Sequence, residues 1–302
     1  MVDAFSDVLR LIQLKSCVYF LRDFSAPWGM TMQAGEFAQF HAVLRGQCVV
    51  SIGDQTLQGV AGDIFLFPKG APHVISDATD SKPVSGPMFM QSLSGGTPLF
   101  SNGAAATQLL CGHYEYRQDF RHPLLEELPA VIHVKSTAPD APHELADVIR
   151  VLVREMNGNA PGATAVIEKL AEILLVQIIR TNLSEKGSQT AFMKGLSDPR
   201  LARAIQLIHQ NYDLPLTLGE LAAVAGMSRS AFAFHFRMKT GTTPNAYLTL
   251  WRMCLARDFM QGQGLTVSQS AHRVGYGSEV AFSRAFRRHF GISPGKVRVK
   301  SA

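Results

Sequence analysis

The sequence predicts two domains, an N-terminal all-β domain with trailing helices and a C-terminal all-α domain holding two helix-turn-helix units. Three observations carry that reading. Up to about residue 115 the chain is rich in glycine, and its short apolar runs are separated by turn signals. From residue 143 the apolar spacing becomes helical. The last third matches itself at a shift of 50 residues. A chain of 302 residues is long enough to bury two cores.

The opening MVDAFSDVLRLIQLK places acidic residues before its apolar positions and has no long apolar core, so it does not read as a signal peptide. No segment approaches the roughly 20 apolar residues of a membrane span. A soluble, cytoplasmic protein is expected. The runs QCVVSIG, GDQT and DIFLFPKGAPH then have the texture of short antiparallel strands and turns. In HELADVIRVLVREM, the residues Leu145, Val148, Ile149, Leu152 and Val153 form one helical stripe. In TAVIEKLAEILLVQIIRT a second stripe runs through Val166, Ile167, Leu170, Ile173, Leu174 and Ile178. This second helix is apolar around much of its circumference, so it either packs between the sheet and the first helix or forms the seam of a homodimer. The following NLSEKGSQTAFMKGLSDP loses periodicity and reads as a linker ending at a helix start, with Ser197 or Asp198 as cap and Pro199 in the first turn. The predicted boundaries are residues 1–183, a linker at 184–198, and 199–302.

Charge separates the two parts. From Pro199 to Ala302 there are 14 Lys/Arg against 4 Asp/Glu, a net of +10, whereas residues 1–198 hold 15 against 20, a net of −5. Clustered cations of this kind point to a polyanionic partner, because they neutralise phosphates and release counterions.

The repeat gives those cations a frame. At the shift of 50, Ser228 aligns with Ser278, Phe232 with Phe282, Phe236 with Phe286, Gly241 with Gly291 and Pro244 with Pro294. Each copy reads as a short alanine-containing helix, a glycine turn and a serine-capped second helix, over about 217–239 and 266–290. The intervening TPNAYLTLWRMCLARDFMQGQG is long enough for one continuous helix with Leu248, Trp251, Leu255 and Phe259 inward. Such a rod can hold two recognition helices about one DNA turn apart. Phe282, Phe286 and Phe290 form the buried stripe of the last helix, which turns Val280, Ser283, Arg284 and Arg287 outward, with Arg288 beside them. The equivalent positions in the first copy are Ser230, Ala233, Phe234 and Arg237, with Arg229 at the helix start. Arginine can bind a guanine edge bidentately or a phosphate, so double-stranded DNA is the expected partner. The first helix is less polar, and either reads thymine methyls through Ala233 and Phe234 or contributes mostly backbone contacts.

The stretch GYGSEVAFSRAFRRHFGISPGKVR resembles the signature of the AraC/XylS family of bacterial transcription regulators, and the resemblance covers about residues 199–300. It implies a DNA-binding domain of about seven helices with both recognition helices in successive major grooves. It also implies RNA polymerase as a partner and activation rather than repression.

Gly62 to His73 reads GDIFLFPKGAPH, or G-x5-P-x-G-x2-H, which resembles the second motif of the cupin barrel. GEFAQFH, from Gly35 to His41, resembles the opening of the first motif. Val43 stands where that motif has its second histidine, and the expected glutamate falls near Gln47. A catalytic cupin holds its metal with three histidines and a carboxylate, so the resemblance leaves His41 and His73, with Cys111 or His113 as completing donors. Two imidazoles alone make a poor site. A divalent metal and a hydrogen-bonded histidine pair therefore both stand as readings. CGHYEY and HPLLEELPAVIHV also fit the cupin sensor domains found ahead of this DNA-binding module, which are commonly regulatory.

Cys17, Cys48, Cys111 and Cys254 are widely spaced without a CxxC pair, so neither a disulfide framework nor a thiolate zinc finger is indicated. Cys111 and His113 share one face of a strand, and an imidazolium there would favour a reactive thiolate, with Cys17 as resolving thiol. Oxidant sensing through Cys17 and Cys111 stands beside the plainer reading of two buried thiols. Taken together, the sequence reads as a DNA-binding transcription regulator whose barrel senses a small molecule, a metal or an oxidant. The alternative is a cupin metalloenzyme with an accessory DNA-binding module, which the missing histidine and glutamate disfavour.

Overall fold

The structure, a computed structural model, describes residues 4–96, 98–116, 122–136, 143–184 and 191–297. Helix α1 (Ala4–Ile12) precedes β1 (Lys15–Ser25), β2 (Gly29–Met32), β3 (Ala38–Arg45), β4 (Gln47–Ile52) and β5 (Gln55–Val60). Strands β6 (Ile64–Phe67), β7 (His73–Ser76) and β8 (Val84–Ser85) lead to α2 (Gly86–Ser94) and β9 (Ala105–Glu115). Next come α3 (Pro123–Glu126), β10 (Ile132–Val134), α4 (His143–Asn157) and α5 (Ala163–Ser184). The remainder is helical: α6 (Ala191–Ser197), α7 (Pro199–Gln210), α8 (Leu218–Val224), α9 (Arg229–Thr240), α10 (Pro244–Gly262), α11 (Val267–Arg273) and α12 (Glu279–Phe290), closed by a 3-10 turn at Pro294–Lys296.

The chain divides into two compact units. A β unit holds residues 14–116 and 128–188, and a helical unit holds 1–13, 117–127 and 189–302. These limits differ from the sequence-predicted 1–183, 184–198 and 199–302, because α1 and α3 join the helical unit and α6 lies inside the segment read as linker. The reason is burial. Helix α1 sinks Ala4, Val8, Leu11 and Ile12 and packs on α7 and α10, while Phe192 of α6 is fully buried 5.7 Å from the Tyr247 ring. Periodicity shows that a helix has an apolar face but not which core receives it.

The β unit is two five-stranded sheets, ordered β1-β9-β3-β6-β10 and β5-β4-β7-β2-β8. Pairing is antiparallel except between β2 and β8. Phe20, Val43, Phe65, Phe67 and Leu109 from one sheet meet Met30, Val50 and Ile75 from the other in a single core, the cupin sandwich-barrel. The motif glycine Gly70 (φ +61°) turns the chain from β6 to β7, where a Cβ would overlap the Gly35 and Phe37 carbonyls. Its own carbonyl accepts from Gly35 N–H at 3.1 Å, so the two histidine-bearing segments are stitched together at their glycines.

Helix α5 lies against β1, β10 and α4, with Ser16 Oγ donating to the Glu168 carbonyl at 2.7 Å. Its buried seam is Ala171, Leu174, Leu175 and Ile178. Val166 and Ile173, part of the apolar stripe read from sequence, are 42% and 46% exposed. A helix apolar over most of its circumference does not itself reveal which part faces the sheet.

In the helical unit α10 is buried on nearly every side, through Tyr247, Trp251, Met253, Cys254, Ala256, Phe259 and Met260. Its 19 residues span about 28 Å. Phe282 and Phe286 of α12 share a core with Met253, Phe259 and Met260, whereas Phe290 is half-buried under the Arg257 guanidinium at 4.5 Å. Truncation of Phe286 to alanine should destabilise the helical unit by about 3–5 kcal/mol, because the fully buried ring leaves a cavity. Chemical denaturation followed by Trp251 fluorescence measures it.

Candidate functional site

Both helix-turn-helix units are built by the same local chemistry. Thr217 caps α8 and Thr266 caps α11, each in a reciprocal capping box, with Glu220 and Gln269 respectively. Ser228 and Ser278 cap α9 and α12 by accepting from the Ala231 and Ala281 amides. Gly241 and Gly291 end these helices in the left-handed region, at φ 72° and 74°. The shift between copies is 49 at the threonine caps and 50 at the serine caps. Gly275-Tyr276-Gly277-Ser278 is therefore one residue longer than Gly226-Met227-Ser228, which the single 50-residue alignment hid.

The outward faces hold most of the expected residues. On α12, Val280, Arg284, Arg287 and Arg288 are exposed and Ser283 is half-buried. On α9, Arg229, Ser230, Phe234 and Arg237 are exposed, while Ala233 is half-buried. Met238, absent from the sequence-based set, is 66% exposed, one turn beyond Phe234 at 62%. Its signal was available as the i+4 neighbour of Phe234 on the same face. Asp198, the N-cap of α7, accepts from Arg200 and from Lys239 (Nζ···Oδ2 2.8 Å), and these cations hold its carboxyl well below the usual range. Lys239 is thereby drawn to the base of its helix.

In the β unit, His41, His73 and Cys111 come together although they lie on three strands. Cys111 Sγ is 3.0 Å from His41 Nδ1, His41 Nε2 is 2.9 Å from His73 Nε2, and His73 Nδ1 is 2.8 Å from the Ala71 carbonyl oxygen. Burial pulls His41 well below the ordinary histidine range and His73 to about 4, so both rings are neutral at pH 7. The carbonyl can only accept, so His73 carries its proton on Nδ1. It follows that His41 Nε2–H donates to His73, and that the Cys111 thiol donates to His41 Nδ1. Every proton in the chain has one place.

This order corrects two expectations. The imidazole at Cys111 belongs to His41 rather than His113, and burial pushes the Cys111 thiol well above its ordinary value, so no thiolate is favoured. Nor do the donors fit a metal: the Nδ1 lone pair of His41 and the Nε2 lone pair of His73 are already engaged, and among the described residues no carboxylate joins them. Among the described residues no group of three or more His, Cys, Asp or Glu is disposed to hold a metal ion. His113 stands apart, stacked on Tyr19 at 4.8 Å and against Phe37 at 5.0 Å, with Nε2 3.3 Å from Glu115 Oε1. Cys17 is an exposed free thiol across the ladder from His113, not from Cys111. Partial burial, with Glu115 and Glu168 nearby, raises its pKa also. A cavity of about 270 Å³ opens beside the hydrogen-bonded chain, lined by His41 and Cys111 together with Phe20, Met32, Gln39 and Phe89.

Duplicated, capped helix-turn-helix units that expose Arg229 and Arg237 on one recognition helix and Arg284, Arg287 and Arg288 on the other define a DNA-binding regulator. The family model described as Cupin matches residues 3–184, and one described as a helix-turn-helix domain matches 221–300. A putative AraC-like transcription regulator of Streptomyces lividans is 29% identical over 98% of this chain and 98% of its own. The HTH-type transcriptional regulator AlkR of Acinetobacter baylyi is 29% identical over 99% of this chain and 100% of its own. A transcriptional regulator structure from Chromobacterium violaceum, with an AraC-type DNA-binding domain, is 31% identical over 34% of this chain and 91% of its own, at a TM-score of 0.33. The chain belongs to the cupin family and, with the helix-turn-helix domain behind its barrel, to the AraC-type transcription regulators.

The buried rings stay neutral at pH values where unfolded histidines already bind protons. Stability of the β unit should therefore fall as the pH drops from about 6.5 toward 4, by on the order of 3 kcal/mol from His73 alone. Amide hydrogen exchange in β3, β6 and β9, compared at pH values across that window after correction for intrinsic rates, gives the slope.

Proposed function

We propose that α9 and α12 bind promoter DNA in successive major grooves, and that a small-molecule or oxidant effector acting on the barrel controls transcription. The observation that carries this reading is the matched pair of capped recognition helices on one buried rod, each with an unobstructed outer face. On α12, Arg284, Arg287 and Arg288 contact guanine edges or phosphates, with Val280 and Ser283 beside them. On α9 the contacts come from Arg229, Ser230, Ala233, Phe234 and Arg237. The cavity beside His41 and Cys111 supports a compact effector, and the buried thiol gives an oxidant a target only if it penetrates the barrel.

The protein acts as a cytoplasmic regulator rather than an enzyme, a reading supported by relatives that are named as transcription regulators along nearly the whole chain. No helix among the described residues is long and apolar enough to cross a membrane. Exposed Val166 and Ile173 on α5 support a homodimer, and family resemblance alone supports recruitment of RNA polymerase and activation. Selection of bound sequences from a random DNA library by the purified chain should enrich two half-sites about one helical turn apart. Arg284→Ala should weaken that operator by about 1–3 kcal/mol while leaving random DNA nearly unchanged. Equal losses on both would move Arg284 to the phosphates.

A further inference from the structure

The duplication lets the two recognition faces be compared position by position. At the shift of 50, Phe234 corresponds to Arg284, Met238 to Arg288, and Arg237 to Arg287. The flanking arginine is therefore common to both copies, while two exposed positions one turn apart are an aromatic and a thioether in one copy and two guanidiniums in the other. Phe234 and Met238 are 62% and 66% exposed, the largest fractions among the exposed large apolar side chains of α9. The other polar groups of this helix are partly occupied. Lys239 is bound to Asp198, the Ser230 hydroxyl lies 3.3 Å from that of Ser228, and the Arg229 guanidinium packs beside Gly219.

We propose that the two recognition helices read chemically different base edges: α9 reads the C5-methyl groups of pyrimidines through Phe234 and Met238, and α12 reads guanine edges through Arg284 and Arg288. This rests on the DNA-binding reading above and specifies its ligand. In the major groove the C5-methyl is the one apolar feature of the base edges, and an aromatic or thioether side chain has nothing else there to gain from. Two large apolar side chains a turn apart would otherwise lie against hydrated polar edges. The alternative occupant, a protein surface, fits less well, since Arg237 flanks the pair at the position where Arg287 flanks the arginines of α12. That shared cation positions each helix on the backbone, and the variable pair supplies the discrimination. In this reading the exposed Met238 stands beside Phe234 in the methyl-reading pair, where the half-buried Ala233 was expected from the sequence.

The test replaces thymine by uracil in the selected operator, which removes the methyl and keeps base pairing. Full-length protein is used, and each half-site is assigned by whether its base preferences are lost in Phe234→Ala or in Arg284→Ala. Uracil in the α9 half-site should weaken binding about fourfold or more per contacted methyl, and in the α12 half-site by less than about twofold. 7-Deazaguanine, lacking N7, should show the reverse pattern. In the Phe234→Ala/Met238→Ala protein, which keeps its fold because both side chains are exposed, the thymine–uracil difference should vanish. Specific operator binding with no effect of uracil in the α9 half-site overturns the proposal and leaves DNA binding intact. So does a double variant that binds every operator like the parent but no longer regulates transcription, which would assign the pair to a protein partner. Enrichment of no sequence at all refutes the DNA-binding reading and this one with it.

Discussion

Helix α10 has almost no solvent face, and the geometry of the helical unit follows from that constraint. Its first half is held by His209 of α7, whose Nε2 is 2.7 Å from the Tyr247 hydroxyl and whose ring stacks on Trp251 at 3.7 Å. Its second half is gripped by the phenylalanines of α12. A helix held on all sides cannot rotate or slide without emptying both cores, so the recognition helices packed at its two ends are fixed in spacing and in phase. Interdigitated side chains at interior density give this rigidity, which hydrogen bonds within the helix alone would not.

The same unit also takes in chain from outside the duplicated region. His122 is fully buried, 4.7 Å from Phe192 and 5.9 Å from Tyr247, and Asp7 of α1 approaches His209 Nδ1 at 3.2 Å. Tyr247 thus joins residues that precede and follow the barrel strands in sequence. The chain passes between the two units at several points, so the covalent path itself links the barrel to the DNA-binding core.

Within the barrel, the two histidines of the cupin-like motifs form part of a buried hydrogen-bonded chain. The motif glycines still bring His41 and His73 together, but the lone pairs that would face a metal are consumed by the Cys111-to-Ala71 hydrogen-bond chain. A fully satisfied neutral chain is stable in an apolar interior, where an isolated charge would not be. The cavity beside it is consequently uncharged on that side.

The sequence by itself determined the class of this protein. Charge asymmetry, the duplicated spacing, the serine and threonine caps and the glycine–proline ends are local features, and each acts through the few residues that follow it, so a linear reading recovers them. It likewise exposed the two cupin motifs and the substitution at Val43. Tertiary structure alone decided the rest. That α1 and α3 belong with the helical unit, that Val166 and Ile173 face outward, and that His41 pairs with Cys111 instead of His113 all depend on contacts between segments far apart in the chain. Periodicity locates an apolar face, and alternation locates a strand face, but the partner across the gap is chosen by packing, and with it the protonation state of every group buried there.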